Sequence, residues 1–394
     1  MKILFITHYS DLYGGNKSLI NLIDGLTSMY DIEPLVVIPI EGTISSVLKD
    51  KNIPYIVMKF NQWCEVKPKM QLQHLYRYIM YKYFSSKRIK KLNTFNEQQI
   101  CLLNDELGNF KPEWVYSNSS VFNFGILYAK KYNIKHIWHI REFGKKDYNL
   151  KFFDKKKVTD LFNTSDKVIG ISNAIKSFYN KKYDIRNIIV EYNAVLSSSD
   201  LEIIDKRVEK KIVVQFTDIV FGIVGLIQIN KRQVDAIAAF KVVNNKYPNT
   251  KLIIAGMGDQ EELKKMVNRL KLSSKVEFLG HLSDPFDAFL KMDINLMCSK
   301  NEGLGRVTIE AMAASIPTIG YKGGGTIEII QNNITGLFYE NGINDLSNKM
   351  IYLIENESKR YEMGFNARKI FEKKYTNEVY AKKMFEIITD TSQK

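Results

Sequence analysis

At 394 residues the chain is too long for one compact core, and ordinary domain sizes point to two. An apolar content of 45% and an aromatic content of 12% exclude a disordered chain, and no apolar run reaches the ~18 residues a membrane-spanning helix needs. The net charge of +14 leaves two anionic partners open, nucleic acid and an anionic membrane surface, and the place of the charge decides between them.

The N-terminal KILFITHYS is too short and too polar for a signal peptide. Cys64, Cys101 and Cys298 show neither pair nor metal-ligand spacing, so a cytoplasmic, reducing location is expected. The chain opens with an apolar strand over 2–7, a loop HYSDLYGGNKS and a helix over 19–29. Gly14 and Gly15 then fall at the carboxyl edge of an α/β sheet, where such folds bind ligands. The pair lacks the GxGxxG pattern, which argues against a dinucleotide site, and a plain tight turn also accounts for it. Further strand-like runs at 34–40, 53–60, 114–117, 136–140, 167–171 and 188–191 alternate with helical patterns, so the first half reads as a parallel, doubly wound sheet.

Residues 66–96 interrupt this rhythm with eight Lys or Arg and no acidic residue. Leu72, Leu75, Tyr76, Ile79, Met80, Tyr83 and Phe84 recur there at helical spacing, the pattern of a basic amphipathic helix lying on an anionic membrane. A solvated basic face on an ordinary helix is the alternative. Nucleic acid is disfavoured, because no binding module is recognisable and the tyrosines follow a helical stripe, not a sheet platform. His139 ends the strand HIWHI, and its position predicts a side chain pointing into a cleft, with Arg141 and Glu142 lining the same cleft; a histidine merely satisfied at a strand end is the alternative. Ser172 and Asn173 read as a helix cap, and 196–211 as an interdomain linker suited to a hinge.

The second half restarts with the strand IVFGIVG, the loop LIQINKRQ and a helix over 234–244. KLIIAGMGD, VEFLGHL and INLMC continue the alternation up to SKNEGLGRVTIEAMAASIPTIGYKGGGTIE. There a strand end, a glycine-rich turn and a helix place free N–H groups above the sheet, a setting that suits phosphate. Glu302 and Glu310 flank that turn and would repel phosphate unless they faced hydroxyls, so the fitting ligand is a phosphorylated polyol, a ribose or a sugar. Gly323, Gly324 and Gly325 offer a second set of backbone donors.

The stretch EGLGRVTIEAMAASIP, with GGG and TGLFY after it, resembles the donor-binding half of the family 4 retaining glycosyltransferases. The resemblance implies an α/β, GT-B fold, two Rossmann-like doubly wound domains facing across a cleft. It divides the chain into an acceptor-binding domain at 1–195, the linker, a donor-binding domain at 212–375, and a C-terminal helix at 376–394 crossing back to the first domain. It places Gly14 and Gly15 beside the donor diphosphate and His139 near the sugar's 6-hydroxyl. Lys231 falls on the diphosphate, Glu302 on sugar hydroxyls, Glu310 on the ribose, and Gly303, Leu304 and Gly305 in the donor turn. The family's usual arginine after the strand glycine is Leu226 here, and Arg232 or Arg306 is the candidate substitute.

The expected reaction is retaining transfer from a nucleotide-sugar to a saccharide acceptor, polyprenyl-linked or otherwise lipid-linked, by a peripheral enzyme on the inner face of the cell membrane. No DxD motif occurs, so no metal or other cofactor is required. A nucleotide-sugar epimerase or sugar phosphorylase on the same scaffold would need acid/base groups at several strand ends or a cofactor lysine, and neither pattern is evident. A non-catalytic membrane-associated binding protein would not need Gly14, Gly15, His139, Lys231, Glu302 and Glu310 together.

Overall fold

The computed structural model describes residues 1–66, 75–212 and 218–390, with the side chains of 75–86, 146, 148 and 208–212 outside the description. The chain forms two compact units, 1–192 with 381–394, and 193–380.

In the first unit the strands are β1 (Lys2–Ile6), β2 (Glu33–Ile38), β3 (Tyr55–Val57), β4 (Cys64–Val66), β5 (Trp114–Asn118), β6 (Lys135–Ile140), β7 (Leu150–Phe152), β8 (Lys167–Gly170) and β9 (Ile188–Val190). Seven of them make one parallel sheet in the order β3-β2-β1-β5-β6-β8-β9. The central strands are apolar and buried along most of their length, as expected of a parallel sheet covered on both faces. A small antiparallel pair, β4 with β7, escaped the sequence pattern because three-residue strands carry too little periodicity. Trp138 stacks on Phe162 at 3.8 Å, and Trp63 lies 5.5 Å from Trp138. The two indole N–H groups bond Ser120 O (2.7 Å) and Ser119 O (2.8 Å), so the aromatic core also fixes the loop leaving β5.

The second unit holds β10 (Ile219–Val224), β11 (Thr250–Ala255), β12 (Val276–Gly280), β13 (Ile294–Met297), β14 (Thr318–Tyr321) and β15 (Gly336–Tyr339), all parallel, in the order β12-β11-β10-β13-β14-β15. Both sheets therefore change direction of growth beside their first strand, the crevice where doubly wound folds take ligands.

The stretch read as a linker, 196–211, is mostly the helix Ser198–Ile212, counted with the second unit. Ser197 and Asp200 cap it reciprocally: Ser197 N–H donates to the Asp200 carboxylate at 3.1 Å, and Asp200 N–H to Ser197 Oγ at 3.1 Å. SSSD thus supplies a capping box. The helix Leu75–Leu107 runs through the basic segment; of the residues behind the amphipathic reading, Leu72 lies outside the described residues, as do the side chains of Leu75, Tyr76, Ile79, Met80, Tyr83 and Phe84. No helix among the described residues is long and apolar enough to cross a membrane.

Candidate functional site

In the second unit, Lys231 closes the short turn Ile229–Lys231 after β10, and Glu302 sits in the loop after β13, the neighbouring strand across the switch point. Their side chains meet, Nζ to Oε1, at 2.5 Å, with Glu302 13% and Lys231 25% exposed. Topology joins these residues, which are 71 positions apart.

Glu302-Gly303-Leu304-Gly305 forms the turn, Gly305 at φ +93° immediately before the helix Arg306–Ala313. Leu304 is buried, so its side chain packs the turn and only its backbone is left for a ligand. The GGG run corrects the sequence reading. Gly325 N–H donates to Glu302 O at 2.8 Å and Gly323 N–H to Tyr321 O at 2.9 Å, so these two donors serve the protein and not a ligand. A Cβ at Gly324 would lie 2.6 Å from Glu302 O, and one at Gly325 2.4 Å from Gly303 O. The triplet is glycine because the two turns touch backbone to backbone. Beneath them the buried hydroxyls of Thr308 and Thr326 have no partner; each is within 3.7 Å of where a Gly305 Cβ would stand.

Glu310, 5% exposed, pairs with Arg306 one helical turn earlier, Nε to Oε1 at 2.9 Å. Arg232 pairs with Asp235 at 2.6 Å. Both candidates for the missing arginine are thus engaged, while Leu226 is 37% exposed and its carbonyl accepts from Gln233. Each carboxylate beside the turn has a cation on it, which removes the repulsion an anion would otherwise meet.

In the first unit, Gly14 and Gly15 are not in the loop; they begin the helix Gly14–Met29, whose ladder starts with Lys17 N–H to Tyr13 O. Above them stands Tyr9. Its phenol oxygen accepts from Asn16 N–H at 3.1 Å and would lie 2.6 Å from a Gly15 Cβ, so close approach of a side chain, not of a phosphate, explains this glycine. Asn16 Oδ1 accepts from Thr7 Oγ1 (2.6 Å) and Asn118 Nδ2 (3.4 Å), tying the ends of β1 and β5 to the helix start.

His139 is fully buried and does not emerge from the strand end. Its Nδ1 meets the Tyr116 hydroxyl, its Nε2 has no protein partner, and burial pushes its pKa well below the usual imidazole range. Both faces of β6 are covered, so a residue near its end is still inside. Glu142 likewise does not line a surface: it accepts from Ser119 Oγ (2.8 Å), Ser120 N–H (2.7 Å) and Ser120 Oγ (2.5 Å), and burial raises its pKa. Arg141 Nε donates to Asn118 Oδ1. The sequence reading passed over Tyr9, Asn118, Ser119 and Ser120, although a polar NSS triplet directly after an apolar strand was the available signal. Ser172 caps its helix as read, accepting from Ile175 N–H at 3.1 Å.

The family described as glycosyl transferases group 1 matches residues 205–370. An uncharacterized glycosyltransferase of Methanocaldococcus jannaschii is 31% identical over 279 residues, 68% of this chain and 72% of that one. The capsular polysaccharide biosynthesis glycosyltransferase CapM of Staphylococcus aureus is 32% identical over 163 residues, 41% of this chain, and the match spans less than half of CapM, 43%. Among solved structures, HepE of Anabaena in complex with UDP superposes with a TM-score of 0.76 at 19% identity, covering 99% of this chain and 100% of that one. TarM of S. aureus, in complex with fondaparinux, α-GlcNAc-glycerol and UDP, gives 0.69 at 17% identity, over 99% and 100%.

Proposed function

This chain belongs to the group 1 glycosyltransferases, and from that premise we propose that it moves a sugar from a nucleotide-sugar to a saccharide acceptor in surface polysaccharide or related glycan synthesis, with retention at the anomeric carbon and no metal. Its two doubly wound units have the GT-B fold that the sequence resemblance implied. The observation that carries the reading is the Lys231–Glu302 pair at the switch point of the second sheet. On this reading the second unit takes the donor. Lys231 and the N–H groups of the turn at Gly303–Gly305 stabilise the leaving diphosphate, Glu302 orients sugar hydroxyls and Glu310 the ribose, with neither acting as nucleophile. The resemblance alone assigns Gly14, Gly15 and His139 to the donor; in the first unit Tyr9 accounts for Gly15, and His139 is fully buried. A nucleotide-sugar reading is supported by HepE, also solved with UDP-glucose.

The test is thermal stabilisation across a panel of nucleotide-sugars with and without EDTA, since a ligand of the folded state raises the midpoint by mass action. Stabilisation by at least one donor, indifferent to chelation, is expected. No stabilisation by any would overturn the donor site, and loss of transfer under EDTA restored by manganese would overturn the metal-free reading.

A lipid-linked acceptor on the inner face of the cell membrane is the finer part of the proposal. Its support is a groove of about 410 Å³ along the helix Leu75–Leu107, lined by Lys87, Lys90, Lys91, Thr94, Phe95 and Gln98. Arg88 is engaged with Glu65, and the Lys82 side chain lies outside the described residues, so the lysines of the groove are the ones to reverse. Each cation near an anionic surface contributes about 1 kcal/mol, so Lys87→Glu, Lys90→Glu and Lys91→Glu together should release the protein from phosphatidylserine vesicles with donor affinity unchanged. Equal vesicle binding by mutant and parent would remove the membrane from the account.

A further inference from the structure

Arg306 is the residue whose chemistry the donor site leaves unassigned. A guanidinium directly after a glycine turn invites assignment to the diphosphate, all the more because Leu226 removes a cation there. Its geometry argues otherwise. Nε donates to Glu310 Oε1 at 2.9 Å, while Nη1 and Nη2 point at the carbonyls of Ala194 (3.3 Å) and Val195 (3.4 Å) in the same unit. The side chain is 18% exposed and that of Glu310 7%. All three guanidinium nitrogens thus have partners, and the fork is held from two sides.

We propose that Arg306 is a positioning residue, which presets the Glu310 carboxylate for the vicinal hydroxyls of a nucleotide's ribose and does not serve as a counter-charge to the diphosphate. The inference rests on the donor-site reading above. Two physical points favour the hydroxyls over the phosphate. Turning toward phosphate would break the contacts to Glu310 and both carbonyls, and would strand a buried carboxylate without its cation, a costly exchange. Staying in place costs nothing, because a carboxylate has about four acceptor positions and the Nε–H occupies one of them at Oε1. The remainder suits a diol, whose two O–H groups donate, and not an anion, which has none to give. Two carbonyl anchors restrict rotation of the guanidinium and through it the plane of the carboxylate, so the diol meets a preset acceptor.

The test uses the full chain and two probes, UDP and 2′,3′-dideoxy-UDP, which share base and diphosphate and differ only in the ribose hydroxyls; the GDP pair replaces them if the parent prefers guanine. Calorimetric affinities are measured for the parent, Arg306→Met, Arg306→Lys, Glu310→Gln and the double variant Arg306→Met with Glu310→Gln. Loss of one charged hydrogen bond corresponds to roughly tenfold, so Arg306→Met should weaken UDP by about that factor and leave the dideoxy nucleotide within about twofold. In the Glu310→Gln background the same substitution should cost nothing further, because a residue acting through another is silent once that other is gone. Arg306→Lys, which keeps a cation beside Glu310 but not the fork, should fall between. Circular dichroism melting of the free variants separates a folding defect, which would weaken both probes alike.

Equal weakening of UDP and dideoxy-UDP by a folded Arg306→Met would make Arg306 a phosphate ligand and overturn the proposal. No weakening of either would overturn it as well. A parent that binds UDP and dideoxy-UDP equally would sink the ribose role of Glu310 itself, and a parent that binds neither UDP nor GDP would sink the donor site; these last two outcomes are failures of the underlying reading and are told apart from the first two by the parent alone.

Discussion

The two sheets run in the same order over six strands, yet each furnishes its own switch-point crevice, and with opposite chemistry. At the carboxyl edge of the first sheet the polar groups lie inside: Tyr9 over the helix start, Glu142 on Ser119 and Ser120, His139 on Tyr116. At the edge of the second sheet the charged groups pair with each other, Lys231 on Glu302 between two loops and Arg306 on Glu310 along the first turn of a helix. Topology thus decides where side chains gather, and the loop sequence decides what they do there. A network satisfied by neutral hydroxyls and N–H groups holds shape; a carboxylate held by one cation keeps acceptor positions to offer a ligand.

The largest contrast is between two glutamates. Glu302→Ala is expected to lower transfer by about 100-fold, read as release of nucleotide from the donor, with the melting midpoint little changed because the side chain is near solvent. Glu142→Ala should do the reverse. It removes the buried acceptor of Ser119 Oγ–H and Ser120 N–H, leaving Ser120 Oγ with Tyr179, and costs about 1–3 kcal/mol of stability, read by thermal or urea unfolding. If Glu302→Ala keeps full activity, the second sheet has no donor site and the contrast collapses.

Acid should separate the units next. Burial pushes His8 and His136 down to about 3 and His139 well below the usual 6.5, whereas His281, the only described histidine of the second unit, is exposed. The unfolded first unit takes up these protons as pH falls through 6.5 and the folded one does not, so stability present above 6.5 is lost on the way down toward 3. Glu142 and Glu191 act with the opposite sign, being raised by burial, and their contribution is complete once pH has fallen to about 4.5, the ordinary value. The steepest loss is therefore expected between about 4.5 and 3. Because Trp63, Trp114 and Trp138 are the chain's three tryptophans and all belong to the first unit, intrinsic fluorescence reports this transition selectively. A fluorescence profile flat across that window would contradict the buried, neutral state of the three imidazoles.

The narrowest comparison isolates one carboxyl. Glu191, 6% exposed, has its pKa raised by desolvation to about 7, against which Lys383 at 3.4 Å works only in part. Its favourable state is the protonated one, present in full below 4.5 and lost as pH rises through 7. Glu191→Gln should therefore match the parent in unfolding free energy near pH 4.5 and exceed it at pH 8, by roughly 2–3 kcal/mol, read by urea unfolding. A difference of the same size at both values would mean that packing, not ionisation, is at stake.

Sequence patterning carried most of the fold. Apolar runs bounded by glycine and asparagine gave the long strands, and EGLG with Glu310 in the helix that follows gave the turn that the second sheet presents. What escaped it depends on long-range contact. The closing of Lys231 on Glu302 needs β10 and β13 to be neighbours, which no local window encodes. The GGG run looked like a donor set because a glycine that yields to another backbone and one that yields to a ligand leave the same letters. His139 looked surface-facing because position along a strand says where a residue ends up but not how deeply its neighbours cover it. The cap in SSSD was hard to tell from a linker because serine serves both equally.

The chain enters the second unit and leaves it on adjacent segments: Val195 N–H bonds Tyr375 O at 3.2 Å, Asn377 N–H bonds Leu196 O at 2.9 Å, and Leu196 bridges Thr376. Its two ends are thus clamped one strand spacing apart, about 4.8 Å. A segment so closed behaves topologically as a cassette. Replacing everything between 196 and 376 with a homologous segment would meet the same two stubs at the same separation, and would disturb no strand of the first sheet. That makes exchange of this half between relatives an easy recombination event, and gives a direct way to build chimaeras in which one half's chemistry is varied while the other is held constant.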